Sequence, residues 1–247
     1  MKKTTARKAK AAPAPDKSKR GHVRDRVSEH LRHGLMAGMF IPGQVMSLRK
    51  LAGALGTSPM PVRDALSQLV AANVLEETPG RSVRVPRISA EKLKELFEVR
   101  DVIESMAAKA ACKTIDAATI KRLTAINNEL LASISRRDIL TCLSANQRFH
   151  FTLYEAAGSD VLMPLIESLW LRSGPTMYFS LLMPDMPWDA SAHKKIIEGL
   201  LQRNAAAVQH AVSQDIRTTA RHLAGIDKGR GPWMMAGTPQ LDISLEV

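Results

Sequence analysis

The chain has only two cysteines in 247 residues, Cys112 and Cys142, with no C-x-x-C spacing. That excludes a disulfide framework and a thiolate metal site, and it fits a reducing cytoplasm. No apolar run reaches the length of about 18 residues that a membrane-spanning helix needs, so none is expected. The lysines near the start are not followed by an apolar stretch, so an export signal is not expected either. A glycine-rich phosphate loop, a serine elbow and internal repeats are also missing, which argues against a nucleotide-driven enzyme or a hydrolase of the usual kinds.

What is present is positive charge, unevenly placed. Residues 1–88 hold 17 Lys/Arg against 6 Asp/Glu, a net of +11, while residues 89–247 hold 18 of each. Excess charge kept for solubility would spread over both halves. Charge confined to one module fits condensed phosphate, whose counterions are released on neutralisation; an anionic membrane surface would attract it too. The charge break near residue 88 favours two domains over one, and an apolar content of 45% suffices for real cores. Residues 1–20, rich in Lys, Ala and Pro, are expected to form a disordered basic arm. Residues 227–247 lose helical periodicity and are expected to be a loosely ordered tail, with Trp233, Met234 and Met235 available to pack on a neighbour.

Val23, Val27, Leu31 and Leu35 recur every four residues, the apolar stripe of a helix that Gly38 should stop before a turn at Pro42-Gly43. Ser47 should cap a short helix over 48–55, broken by Gly56. Ser58 is placed to cap the next, with Pro59 and Pro61 tolerated in its first turn. In that third helix Val62, Ala65, Leu66 and Leu69 turn inward, leaving Met60, Arg63, Asp64 and Ser67 outward. Val74-Leu75-Glu76 and Val83-Arg84-Val85 then read as a hairpin around Pro79-Gly80-Arg81. Helix-turn-helix geometry puts the second helix of such a pair in the major groove, so Arg63 is the leading candidate for a base or phosphate contact. Gly80 lets the hairpin tip approach a sugar-phosphate edge, where Arg81 supplies charge. His22, His30 and His33 are expected to be exposed or near the DNA backbone.

Pro42-Gly43, Leu51-Ala52, Leu55-Gly56, Ser58, Pro61-Val62-Arg63-Asp64-Ala65-Leu66, Leu69 and Pro79-Gly80-Arg81 resemble the GntR family of bacterial winged-helix repressors over roughly residues 22–88. The resemblance implies DNA contacts at Arg49, Ser58, Met60, Arg63, Gly80 and Arg81. Where the family places an arginine after the capping serine, this chain has Pro59. One base-reading fork is therefore missing.

From Ser89 onward the chain reads helical, with candidate caps at Ser89, Asp116, Asp138, Asp160, Asp189 and Asn204. Leu93, Leu96, Phe97, Arg100, Val102, Ile103 and Met106 begin a long helix, and Leu123, Ile126, Leu130, Leu131 and Ile134 line the next. The fold expected is mainly α: a winged helix-turn-helix over 21–88, then an antiparallel bundle of six or seven helices over 89–226.

Glu98 to Glu104, Asn146 to His150 with Ala156-Ala157-Gly158-Ser159, and His193 with Ile196-Ile197 resemble the FCD ligand-sensing domain of the FadR-like GntR subfamily. Many such domains bind a divalent metal through D-x-x-x-H and two later histidines. The resemblance puts those ligands at Asn146, His150, His193 and Asp215, two of them changed in type. This set suits Zn²⁺, Mn²⁺ or a similar ion at reduced affinity; alternatively, His150 and His193 are hydrogen-bonded groups lining a metal-free pocket. His210 and His222 are expected to face solvent or cap a helix.

In the family, metal and nearby arginines hold the carboxylate of a small organic acid. That role implies Arg100, Arg172 and Arg148 here, although buried arginines also serve internal salt bridges. The resemblance thus implies a cytoplasmic homodimeric regulator, most often a repressor, that binds double-stranded DNA at an inverted repeat and responds to an organic-acid effector. Two other readings are a metal-dependent enzyme acting on a small acid and fused to a DNA-binding head, and an architectural DNA binder without an effector. An enzyme would need an acid or base beside an open metal position, for which only Glu104 and Glu155 offer themselves.

Overall fold

The computed structural model describes residues 17–80, 82–181 and 190–225. The arm over residues 1–16, Arg81, Asp189 and the tail over 227–247 lie outside them. Among the described residues the head comprises α1 (Lys17–Met36), β1 (Val45–Met46), α2 (Leu48–Ala54), α3 (Pro59–Ala71), β2 (Glu76–Glu77) and β3 (Val83–Arg84). The bundle comprises α4 (Ala90–Thr114), α5 (Ala117–Arg136), α6 (Ile139–Glu155), α7 (Leu162–Ser180), α8 (Ser191–Leu201) and α9 (Ala205–Gly225). The fold is mainly α, as expected. Helix α1 begins at Lys17, inside the stretch read as arm, and no helix is long and apolar enough to cross a membrane.

The α1 stripe is buried at Val27, Leu31 and Leu35, and the helix ends where Gly38 takes a positive φ of 70°. The chain then turns at Gly43, also at positive φ, and pairs with the wing. Gly43 N–H donates to Val85 O at 2.8 Å and Val85 N–H to Gln44 O at 2.9 Å. The sequence reading expected two strands; the sheet has three, in order β1-β3-β2, all antiparallel. A two-residue strand is too short to show period-two alternation, so β1 left no signature.

Caps explain most bundle boundaries. Ser89, Asp116 and Asp138 accept from the amides of Lys92, Thr119 and Thr141, and Asn204 accepts from Ala207. Helix α7 departs from expectation: Ser159 Oγ accepts from Leu162 N–H at 3.2 Å, so the cap is not Asp160. In α3, Ser58 holds the cap position but makes no side-chain cap bond. A capping oxygen reaches the second or third amide, and the third residue of this helix is Pro61, which has none.

Helix α9 runs antiparallel along α4, pinned by Arg203 donating to Ile115 O at one end and by Arg217 with Asp101 at the other, both 2.6 Å. Helix α7 joins the bundle to the head. Its Glu167 pairs with Arg32 of α1, and Arg172 donates to Ala72 O at the end of α3. Between these, Gly174 lies so close to α1 that a Cβ there would sit 2.6 Å from Met36 O and 2.7 Å from Met36 Cα.

Alanine is ordinarily favoured over glycine in a helix by roughly 0.5–1 kcal/mol. At Gly174 the clash is with backbone, which cannot rotate away, and such overpacking costs about 1–3 kcal/mol. Gly174→Ala is therefore expected to lower the thermal unfolding midpoint; an unchanged or raised midpoint would show that α1 and α7 are not in this close contact.

Candidate functional site

The head presents the expected surface. Val62, Ala65, Leu66 and Leu69 of α3 are buried, while Met60, Arg63, Asp64 and Ser67 are exposed. Arg49, Ser58 and Gly80 are exposed on the same module, and Arg81 lies outside the described residues. Ser58, released from capping, keeps its hydroxyl outward. His22 is exposed, but His33 is partly buried. Burial, then His30 and Arg148, hold its pKa below the ordinary value, so it belongs to the junction with the bundle rather than to a DNA face.

Inside the bundle a cavity of about 300 Å³ is lined by α4, α5, α6, α7, α8 and α9. His150 of α6, His193 of α8 and Asp215 of α9 converge there, with ligand atoms all within 4.8 Å of one another. His150 Nε2 lies 3.3 Å from His193 Nε2 and 3.1 Å from Asp215 Oδ2. Asn146, one turn before His150, also lines the cavity. All four sequence-derived ligand positions therefore meet at one place.

The protons around this cluster can be assigned from its outer partners. Tyr154 O–H donates to Glu104 Oε2 at 2.8 Å, so the phenol oxygen must accept from His150 Nδ1–H at 3.1 Å. Asn127 Oδ1 accepts from His193 Nδ1–H at 3.2 Å. With both Nδ1 atoms bound to these outer partners, both Nε2 atoms turn toward each other and, from His150, toward the Asp215 carboxylate. Burial and then His150 push the His193 pKa down to about 3. Burial alone would raise Asp215, but the bond and charge of His150 hold it below the ordinary carboxylate value.

Two imidazoles and a carboxylate turned toward one point suit a shared cation: a proton on His150 Nε2 joins it to Asp215, whereas a divalent cation would join all three. A tetrahedral ion with ligand bonds of about 2.0–2.1 Å holds its ligand atoms roughly 3.3–3.4 Å apart, close to the 3.3 Å and 3.1 Å observed. The donor set thus fits a borderline metal, and Tyr154 and Asn127 orient its imidazoles as outer partners of metal-bound histidines do.

The arginines divide differently from expectation. Arg100 lines the cavity, but its guanidinium is a fork on Glu104 at 2.6 and 3.3 Å, sandwiched between Phe97 and Trp170. Its charge is already matched. Arg148 is not on the cavity wall and pairs with Glu129 of α5 at 2.6 Å. Arg172 is exposed and faces the head. Neither can reach an effector in the cavity, because each lies on the outward side of its helix.

The sequence reading missed Lys195 and Arg221, which line the cavity and have no carboxylate partner among the described residues. It also missed Thr218 and Thr219, which a step of three and four residues from Asp215 would have found. Trp170 Nε1 is the one buried polar side-chain atom without a partner among the described residues.

The sequence matches the FCD domain over residues 95–218 and the bacterial regulatory proteins of the gntR family over residues 23–85. The chain belongs to the FCD-domain family and carries a gntR-family domain before it. It is 29% identical over 167 residues to the HTH-type transcriptional regulator McbR of Escherichia coli (strain K12), covering 68% of this chain and 76% of that protein. With the HTH-type transcriptional repressor RspR of the same strain it shares 22% identity over 214 residues, 85% and 93% of the two chains. The solved structure of E. coli McbR/YncC matches with a TM-score of 0.74 at 24% identity, covering 81% of this chain and 95% of that one. A GntR regulator from Rhodococcus sp. RHA1 matches at 0.64 and 22%, covering 82% and 97%. These structural likenesses concern the fold.

This chain is a DNA-binding transcriptional regulator with a gntR-family head and an FCD ligand-binding domain, and the enzyme reading is set aside because the family and its relatives are regulators.

Tyr154→Phe strips two buried groups, His150 Nδ1–H and Glu104 Oε2, of a partner in one step. Leaving such groups unpaired costs about 1–3 kcal/mol, so the midpoint of denaturant unfolding should fall. An unchanged midpoint would refute the assigned proton chain.

Proposed function

We propose that this regulator is a repressor of the FadR-like kind, working in the cytoplasm as a homodimer on an inverted-repeat operator. Its effector is a small organic acid held beside one divalent ion. His150, His193 and Asp215 bind the ion, Asn146 lies within the same cavity, and Zn²⁺ or Mn²⁺ suits the donors. The single observation that carries this is the meeting of two histidine nitrogens and a carboxylate oxygen inside a bundle cavity. Bound there, the ion supplies a fixed positive charge for a carboxylate. Lys195 and Arg221 supply the protein's own unmatched cations, the part that Arg100 cannot play because Glu104 neutralises it.

On the DNA side, Arg63 reads a base edge, Arg49, Ser58 and Met60 contact the same groove and its phosphates, and Gly80 with Arg81 touches the backbone from the wing. Helix α7 connects the two activities. Its Trp170 and Met177 line the cavity, while Glu167, Arg172 and Gly174 meet α1 and α3. An effector that prefers one setting of α7 by about 1–3 kcal/mol shifts operator affinity 5- to 150-fold.

Chelator-stripped protein should gain thermal stability on adding Zn²⁺ or Mn²⁺, and His150→Ala and His193→Ala should each abolish the gain. A shift that survives both substitutions would place the ion elsewhere. Asn146→Asp restores the family's carboxylate and should tighten ion binding by about tenfold or more, measured by calorimetry. Arg63→Ala should lose about 1–3 kcal/mol of discrimination between operator and random duplex in fluorescence anisotropy; unchanged discrimination would remove Arg63 from base reading.

A further inference from the structure

Met60 is 58% exposed on α3, whereas Val62, Ala65, Leu66 and Leu69 of the same helix are buried. At about 100° per residue, Arg63, Asp64 and Ser67 fall within about 60° of Met60, and all three are exposed. Met60 therefore leads the outward stripe of the helix at its N-terminal end. That end is poor in groups that hold phosphate. Residues 57–62 contain no cation, and Pro59 and Pro61 on either side of Met60 carry no amide hydrogen. Asp64, one turn on, has no cation partner among the described residues. A phosphate strand laid against Met60 and Asp64 would gain nothing from the first and be repelled by the second.

We infer that Met60 packs on the 5-methyl group of a thymine in the major groove and so selects the base at one position of each operator half-site. The inference rests on the proposed seating of α3 in the groove and assigns the base feature that one of its side chains meets. In a recognition helix the N-terminal residues are the ones brought to the base edges. Those edges offer donors and acceptors at every base pair, and thymine adds an apolar methyl.

Against adenine, guanine or cytosine the same contact strips water from an amino or carbonyl group, and a thioether replaces that bond poorly. Against thymine it buries methyl on methylene and leaves no polar group wanting. The unbranched methionine chain has three rotatable bonds and a polarizable sulfur, so it can settle on the methyl without moving the backbone of α3. Arg63 offers a fork for guanine on the same stripe. The two side chains thus read different features: one takes paired acceptors, the other a bare methyl.

The test begins with selection of binding sites from a random duplex library by the full chain. Each thymine of the selected operator is then replaced singly by deoxyuridine, which removes the methyl and keeps the pairing, and affinity is read by fluorescence anisotropy at fixed salt. At one thymine in each half-site the wild-type chain should lose about fourfold, the scale of one buried methylene-sized group. Met60→Ala should bind the unmodified operator more weakly by a similar factor and be indifferent to deoxyuridine at that position. Its thermal unfolding midpoint should not change, since the side chain is exposed. A wild-type chain indifferent to deoxyuridine throughout, or a Met60→Ala chain that keeps the full penalty at every thymine, overturns the contact. If Arg63→Ala still loses discrimination in that case, α3 remains in the groove and only the Met60 contact falls. If Arg63→Ala loses none, or no sequence is enriched, the seating of α3 falls with it.

Discussion

Glu104 is a fully buried carboxylate, and the way its charge is satisfied governs the chemistry of the cavity. An unmatched carboxylate in such a place would carry a desolvation cost of several kcal/mol. Arg100 meets it with a two-pronged bond, and Tyr154 gives it the phenolic proton. With that proton committed, the phenol accepts, so His150 points its Nδ1–H at Tyr154 and turns Nε2 into the cavity. The burial of Tyr154 and the neighbouring Glu104 charge raise its pKa well above the usual phenol value, which keeps the proton in place. Glu104 thus sets the orientation of the His150 ring through Tyr154.

The same chain of bonds engages the arginine in the cavity wall. The Arg100 guanidinium lies 4.7 Å from the Phe97 ring centre and 4.5 Å from that of Trp170, its plane held and its charge opposed. Rigid aromatic walls and a matched ion pair define the shape of the pocket; the His150–His193–Asp215 cluster and the cations Lys195 and Arg221 line it with polar and charged groups. Trp170 belongs also to α7, whose Gly174 admits α1 to backbone contact. Shape in the cavity and seating of the head are in this way properties of one helix. A ligand can shift the head only through a difference in its affinity for two settings of that helix, and close backbone packing favours discrete settings over gradual ones.

Much of the fold was legible in the sequence because its signals are local. The α1 and α3 stripes, the inward and outward faces of the reading helix, and the caps at Ser89, Asp116, Asp138 and Asn204 all depend on spacing within a turn or two. Failures came where a neighbour changed the meaning of a residue. Ser58 sits at the cap but has no third amide to bind, because that position is Pro61. Asp160 was a better cap by type than Ser159, yet the geometry of the turn at Gly158 gave the bond to the serine. Val102 and Met106, named with the residues that begin the long helix, are exposed on it.

The sequence alone determined the division of charge, the helical faces and the residue types that reach the cavity from α6, α8 and α9, since side-chain direction follows from a period of 3.6 residues. Tertiary structure decided which arginine of the cavity is paired, which nitrogen of each histidine meets an outer partner, and which large apolar side chains are exposed among the described residues. Those depend on partners distant in the chain: Tyr154 and Glu104 are 50 residues apart, His193 and Asn127 are 66. A proton goes to whichever acceptor the packed helices bring within reach, and no spacing along the chain encodes that choice.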